Sequence, residues 1–276
     1  MKTAEENNNY RIAVPSAFET VFSHFYFAEN KTALPITKTL LPSFQTIMVF
    51  NFGTAGSLKS KENNVLQVEK CMVLGPIKQA FDYTLEPNSE ILVANFKEDA
   101  FYRFFGNALL AHTVPVHPDD LVPGNCFSAL WEELKAIPDN QNRVAYILDF
   151  CKPYLGEQNQ ITTLLANFKE EALNPIKVIA SQTNQTERNV QLNQKKLFGY
   201  TIKEVSRYER FLKAVEKIQK NALTQIKIDW LTVVEDCGYY DQSQLIHDFK
   251  YFINISPTKF LKFQKDICNG TSTSIV

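Results

Sequence analysis

The sequence predicts an α+β, multidomain protein with a β-rich first half and an all-helical second half. Three observations carry that expectation. Residues 44–96 hold short apolar runs separated by turn residues. From Phe127 onward the hydrophobic period becomes helical. Residues 176–254 contain an internal repeat of helix, tight turn and helix, with one long helix between the copies.

The strands come first. Phe44–Phe52 (FQTIMVFNF) is apolar, aromatic and β-branched, and Gly53-Thr54-Ala55-Gly56-Ser57 closes it. Val65–Val73 partly alternates and is followed by Gly75-Pro76. Gln79–Leu85 alternates, Pro87-Asn88-Ser89 forms a turn, and Glu90–Phe96 completes the set. Short strands at near-regular spacing predict a sandwich or barrel. The aromatic residues Phe44, Phe50, Phe52, Phe81, Tyr83, Phe96, Phe101, Tyr102, Phe104 and Phe105 suit either a plain core or a ligand pocket. Phe101–Leu110 is a candidate helix, and Pro115, Pro118 and Pro123 make Thr113–Gly124 a loop.

The helices follow. Phe127, Leu130, Trp131 and Leu134 form one apolar stripe, and Val144, Ile147, Leu148 and Cys151 form a second that ends near Pro153 and Gly156. The domain change is placed near Gly156–Asn159, dividing residues 1–157 from 158–268. In the repeat, Ile176–Asn184 pairs with Thr186–Gly199, and Trp230–Gly238 with Asp241–Asn254. Asn184 and Gly238 suit the left-handed conformation of a tight turn. Thr186 and Asp241 are N-caps for the helix that follows, and Gly199 and Asn254 close it. Ile202–Asn221 lies between, without Gly or Pro. Such a helix spans about 30 Å. Two successive DNA major grooves lie about 34 Å apart.

The second copy resembles a known family. Gly238-Tyr239-Tyr240-Asp241-Gln242-Ser243-Gln244-Leu245-Ile246-His247-Asp248-Phe249-Lys250, then Ile255-Ser256-Pro257-Thr258-Lys259-Phe260, is similar to the C-terminal signature of AraC/XylS-type transcriptional regulators. That signature reads G-[FY]-x-D-Q-S-x-[FL]-x-x-x-F-K, then G-x-[ST]-P-x-x-[FY]; Asn254 replaces its Gly. In the first copy Thr186, Arg188, Val190 and Lys195 fit. Leu192 stands where a basic residue is common and Gln194 where an aromatic packs. In the second copy Val234 replaces a small Ala. In the first half, Leu41-Pro42-Ser43, Ile47-Met48-Val49-Phe50-Asn51-Phe52-Gly53 and Gly75-Pro76 resemble the N-terminal domain of a subgroup of these regulators. The resemblance implies a cupin-like β-barrel followed by helices used for ligand sensing or dimerisation, then a double helix-turn-helix domain.

It also implies a DNA-reading surface. Arg188, Asn189, Gln191 and Leu192 lie early on the first recognition helix, and Gln242, Ser243, Gln244 and His247 on the second. Gln and Asn can pair with adenine, and Arg or His can reach guanine or phosphate. Lys195, Lys196, Arg207, Arg210 and Lys250 are candidates for phosphate contact. Pro257 opens the helix behind the second unit. The partners expected are double-stranded DNA, a small-molecule effector, RNA polymerase and a second copy of the chain. No cofactor and no metal are expected.

Composition bounds these expectations. The 276 residues are 45% hydrophobic and 21% charged, which fits globular domains. No stretch approaches 18 consecutive apolar residues, so no membrane span is expected. Met1-Lys2-Thr3-Ala4-Glu5-Glu6 lacks the apolar core of a signal peptide, which makes the cytoplasm the default location. The net charge of −1 conceals a split: residues 1–140 hold 11 Lys and Arg against 16 Asp and Glu, and residues 141–276 hold 18 against 14. Cys71, Cys126, Cys151, Cys237 and Cys268 are odd in number and widely spaced, which predicts free thiols. His112 and His117, with Asp119 and Asp120 nearby, suggest a cupin metal site, but they sit in the Pro-rich loop and no Glu or third His follows at a matching strand position. No Gly-x-Ser-x-Gly, P-loop or His-Glu-x-x-His occurs, so no enzyme activity is expected. A cupin-type metalloenzyme with a degenerate helix-turn-helix module, and a regulator acting through protein contacts alone, are the competing functions.

Overall fold

The computed structural model describes residues 7–59, 65–108, 110, 115–168, 174–224 and 228–268. The chain forms two compact units. The first comprises Met1–Thr37, Ser43–Ile77 and Asp82–Thr201; the second comprises Lys38–Pro42, Lys78–Phe81 and Ile202–Val276. The order is strands first and helices after, the α+β arrangement expected.

Nine strands are described: β1 (Asn7–Ile12), β2 (Phe22–Asn30), β3 (Ile36–Leu40), β4 (Ile47–Asn51), β5 (Gly56–Lys59), β6 (Val65–Val68), β7 (Cys71–Leu74), β8 (Phe81–Leu85) and β9 (Glu90–Phe96). They build a five-stranded sheet of order β1-β2-β9-β4-β7 and a four-stranded sheet of order β3-β8-β5-β6. The pairings β1–β2, β2–β9, β4–β9, β4–β7, β5–β6 and β5–β8 are antiparallel. Val65–Val73, expected as one strand, is two strands in different sheets, β6 and β7. Gly56 and Ser57, expected as a turn, open β5.

Three helices cover the strands: α1 (Ala100–Phe105), α2 (Cys126–Ala136) and α3 (Asn140–Cys151). Their apolar stripes bury Phe101, Phe127, Leu130, Trp131, Leu134, Val144 and Leu148 with Phe22, Phe25, Phe50 and Leu92 of the strands. Each fully buried side chain of this size contributes about 1.5–3 kcal/mol. Polar groups pin the contact. Trp131 Nε1 donates to the Asn51 carbonyl at 2.7 Å. Arg143, buried, donates through Nε to the Ile137 carbonyl at 2.7 Å and pairs with Glu90. Satisfied in this way, the buried guanidinium orients the α2–α3 corner, and removing a partner would leave a buried charge uncompensated.

The aromatic set considered for a pocket is mostly core. Phe50, Phe96, Phe101 and Phe105 are buried, Phe52, Tyr102 and Phe104 pack against them, and the Phe101 and Phe105 rings lie 4.6 Å apart. Phe81 and Tyr83 are half-buried on β8. Phe44 meets Tyr200 edge to face. Leu109, residues 111–114 and thus His112 lie outside the described residues.

Three further helices complete the first unit: α4 (Gln160–Ala166), α5 (Pro175–Gln182) and α6 (Glu187–Phe198). Helix α6 packs against α5, α4 and α1. In the second unit α7 (Ile202–Thr224), α8 (Trp230–Asp236), α9 (Gln242–Ile253) and α10 (Pro257–Cys268) pack around Phe211, Phe249, Phe252 and Phe260. The Phe211 ring lies 4.7 Å from that of Phe252 and 5.0 Å from that of Phe249. The two short segments of this unit are tied to α7 and α9. Lys78 Nζ donates to Glu204 at 2.7 Å, the Ala80 N–H donates to the Phe252 carbonyl at 2.7 Å, and the Tyr208 hydroxyl donates to the Pro42 carbonyl. No described helix is long and apolar enough to cross a membrane.

Candidate nucleic-acid interface

Each copy of the repeat folds as a helix, a tight turn and a helix. In the first, α5 ends at a left-handed Asn184 with φ 54°, and the Gln185 N–H donates to the Ala180 carbonyl at 2.9 Å. Thr186 then accepts from the Asn189 N–H at 3.2 Å, capping α6. Gly199 closes α6 at φ 76°. In the second, Gly238 stands at φ 74°, and the Tyr239 N–H donates to the Val234 carbonyl at 2.9 Å. Asp241 accepts from the Gln244 N–H at 2.7 Å, and Asn254 closes α9 at φ 60°. These are the αL turns and side-chain caps that satisfy backbone groups orphaned at helix ends.

The second helices of the two copies, α6 and α9, differ in what they present. On α6, Arg188, Asn189, Gln191, Leu192 and Lys195 are exposed, and Leu192 is 57% exposed. Lys196 lies 5.5 Å over the Tyr102 ring. Gln194 is 4% exposed, so the core position that an aromatic would fill holds a buried carboxamide. On α9, Gln242, Ser243, His247 and Lys250 are exposed. Gln244 is half-buried, and its Oε1 accepts from the Tyr240 N–H at 3.0 Å. The oxygen of its carboxamide is thus already engaged, one residue ahead of the Asp241 cap.

Periodicity missed the charge network beneath α9. Asp248 is 1% exposed on the inner face of that helix. Arg207 Nε donates to one of its oxygens at 2.6 Å and Arg210 Nη2 to the other at 3.3 Å. Arg207 also stacks 4.2 Å from the Tyr251 ring centre and donates to His247 Nδ1 at 3.1 Å. Arg210 lies 4.6 Å over the Tyr239 ring. Both arginines, expected to face phosphate, are thus engaged with a buried carboxylate. Asp248 lies 41 residues from Arg207. No short-range pattern joins them.

A second grouping lies in the first unit. Cys71 Sγ is 3.3 Å from His117 Nε2, and His117 Nδ1 accepts from the Asp119 N–H at 3.2 Å. Burial, then the Asp119 charge, push the Cys71 thiol up to about 12. A thiol at that value is uncharged at neutral pH and a poor nucleophile. Burial raises the Asp119 carboxyl, but bonds from the Ser128 hydroxyl and the Phe127 and Ser128 N–H groups outweigh it and hold the pKa below the usual range. Asp119 thereby caps α2. Among the described residues no group of three or more His, Cys, Asp or Glu side chains is arranged to hold a metal ion. Cys71, Cys126, Cys151 and Cys237 are free thiols.

The chain matches no family model and no curated protein sequence. Among solved structures it is similar to ToxT from Vibrio cholerae, at 11% identity over 87% of this chain and 98% of that one, with a TM-score of 0.40. The structure of ToxT bound to (E)-4-(8-methylnaphthalen-1-yl)but-3-enoic acid matches with the same identity and TM-score, over 99% of that chain. An RmlC-like cupin protein from Desulfovibrio desulfuricans is similar over 34% of this chain and 85% of its own, at 9% identity and a TM-score of 0.27.

Proposed function

We propose that the chain is a sequence-specific DNA-binding transcription regulator of the AraC/XylS type. Residues 158–268 form its DNA-binding domain, and residues 1–157 form a cupin-like domain that senses a small molecule or dimerises. One observation carries the proposal. Two helix-turn-helix units recur at a constant spacing, with Thr186 matched by Asp241, Lys195 by Lys250 and Gly199 by Asn254, and both carry exposed polar side chains on the second helix. A helix of this kind places its first turns in a major groove.

In this function the base-reading groups are Arg188, Asn189, Gln191 and Leu192 on α6 and Gln242, Ser243, Gln244 and His247 on α9. Arg188 suits guanine, Asn189, Gln191 and Gln242 suit adenine, and Leu192 suits a thymine methyl group. Lys195 and Lys250 suit phosphate, which sets register without reading sequence. RNA polymerase and a second copy of the chain are its further partners.

Selection of bound DNA from a random pool, using the full chain, tests the proposal. One enriched site is expected. Arg188→Ala and Gln242→Ala should each relax preference at one base pair, by about 1–3 kcal/mol. Lys250→Ala should weaken all sites alike and flatten the salt dependence by about one counterion. Failure to enrich any sequence at low salt would sink the proposal.

A further inference from the structure

We propose that Arg207 is a positioning residue that fixes the proton on His247, so that α9 offers one neutral donor, Nε2–H, to a guanine edge. The inference rests on the DNA-binding function just proposed and assigns one base contact within it.

The chemistry follows from donor and acceptor inventory. A guanidinium has five N–H donors and no acceptor. Its contact with His247 Nδ1, at 3.1 Å, therefore requires a bare Nδ1 with a lone pair directed at Arg207. A neutral imidazole with a bare Nδ1 carries its proton on Nε2. His247 is exposed, and Nε2 has no partner among the described residues. Arg207 is itself held in three ways: by Asp248 at 2.6 Å, by the Tyr251 ring at 4.2 Å and by the Phe252 ring at 5.5 Å. Asp248, 1% exposed and shared with Arg210, cannot swing away. The ring is thus oriented from below by a half-buried guanidinium that is anchored on a buried carboxylate.

The position of His247 selects the acceptor. It lies one turn beyond Ser243 on the exposed stripe of α9, in mid-helix rather than at an end. A donor at this place on a recognition helix faces the groove, where base edges present their acceptors. Guanine presents two adjacent acceptors there, N7 and O6, whereas adenine sets its N6 donor beside N7, so guanine is the purine edge that suits a lone donor.

The experiment has two arms on the full chain. In the first, histidine is labelled with 15N and the imidazole spectrum is recorded at neutral pH without DNA. The signal deleted by His247→Gln should show a protonated Nε2 and a bare Nδ1. Arg207→Gln should shift it toward a mixture of tautomers, and Arg210→Gln, which also removes a partner of Asp248, should leave it in place. A protonated Nδ1, an unchanged signal in Arg207→Gln, or an equal shift in Arg210→Gln overturns the role of Arg207. In the second arm, the DNA site selected by the unaltered chain is bound by each variant. His247→Ala should lose preference for guanine at one base pair by about 3- to 10-fold, and Arg207→Gln should lose a smaller part at the same base pair, about 2-fold, as its tautomer mixture dictates. Loss that is uniform across sequences places the donor on phosphate and overturns the guanine assignment. If the unaltered chain selects no site, the DNA-binding function itself fails, while the first arm still decides whether Arg207 fixes the ring.

Discussion

The two helix-turn-helix units are built to one plan from different materials. In α8–α9 the inner face is aromatic and ionic: Phe249 is fully buried and Asp248 is clamped by two arginines. In α5–α6 the matched positions hold Gln194, buried, and Asn193, half-buried. The second turn is also one residue longer, and the extra residue, Tyr240, is 92% exposed. The common plan is the set of αL turns and caps, which depend on local backbone needs. The difference lies in the supporting layer, which depends on what each helix packs against. The turns and caps are thus specified locally and the supporting layer non-locally.

That contrast can be broken experimentally, and the largest effect should come from the cores. Phe249→Ala should cost about 3–5 kcal/mol, as for other fully buried aromatics. Gln194→Ala should cost about 1–3 kcal/mol, the range for losing a buried polar partner. Thermal melts that show equal losses would erase the distinction between the two supporting layers.

Next come the closing residues. Gly199 stands at φ 76°, and a Cβ there would lie 2.4 Å from the Ala108 carbonyl oxygen and 3.0 Å from the Pro76 ring. Gly199→Ala adds that backbone clash to the conformational cost of about 1–3 kcal/mol. Asn254 already tolerates φ 60°, so Asn254→Ala should cost about 1 kcal/mol. Chemical denaturation of the two variants would rank them.

The caps should give a smaller difference. Asp241→Ala removes a charged acceptor at 2.7 Å, and Thr186→Ala a neutral one at 3.2 Å. Both should cost about 1 kcal/mol, Asp241→Ala the more. Hydrogen exchange at the first turns of α9 and α6 would resolve them. Least of all, Leu192→Ala should change stability by under about 0.5 kcal/mol, since its side chain is exposed. Under the proposed function its effect should appear only in the selected DNA, as lost preference for thymine.

Much of this was legible in the sequence, and the reasons for the rest are specific. Asn184, Thr186, Gly199, Gly238, Asp241 and Asn254 can be placed because turns and caps demand particular residue types at fixed offsets. Strands β1, β2 and β3 escape periodicity. NNNYRI is polar and lies at a sheet edge, and Phe22–Asn30 buries side chains on both faces, so neither alternates cleanly. The break between β6 and β7 falls at Glu69-Lys70, where the chain changes sheets without Gly or Pro. The Arg207–Asp248–Arg210 cluster is invisible because its members are distant in sequence and each alone looks like a surface charge.

The buried carboxylate under α9 has a consequence for ionic strength. Added salt weakens exposed charge contacts and competes with protein for the counterion layer of DNA. Asp248 is shielded from that competition by burial, so its pairing with Arg207, and with it the seating of α9 on α7, should resist salt better than the exposed charges of the outer face. The surface that meets solvent is electrostatically soft, and the mount beneath it is hard. Under the proposed function, a salt titration would therefore measure the outer contacts alone, with the geometry of α9 held constant.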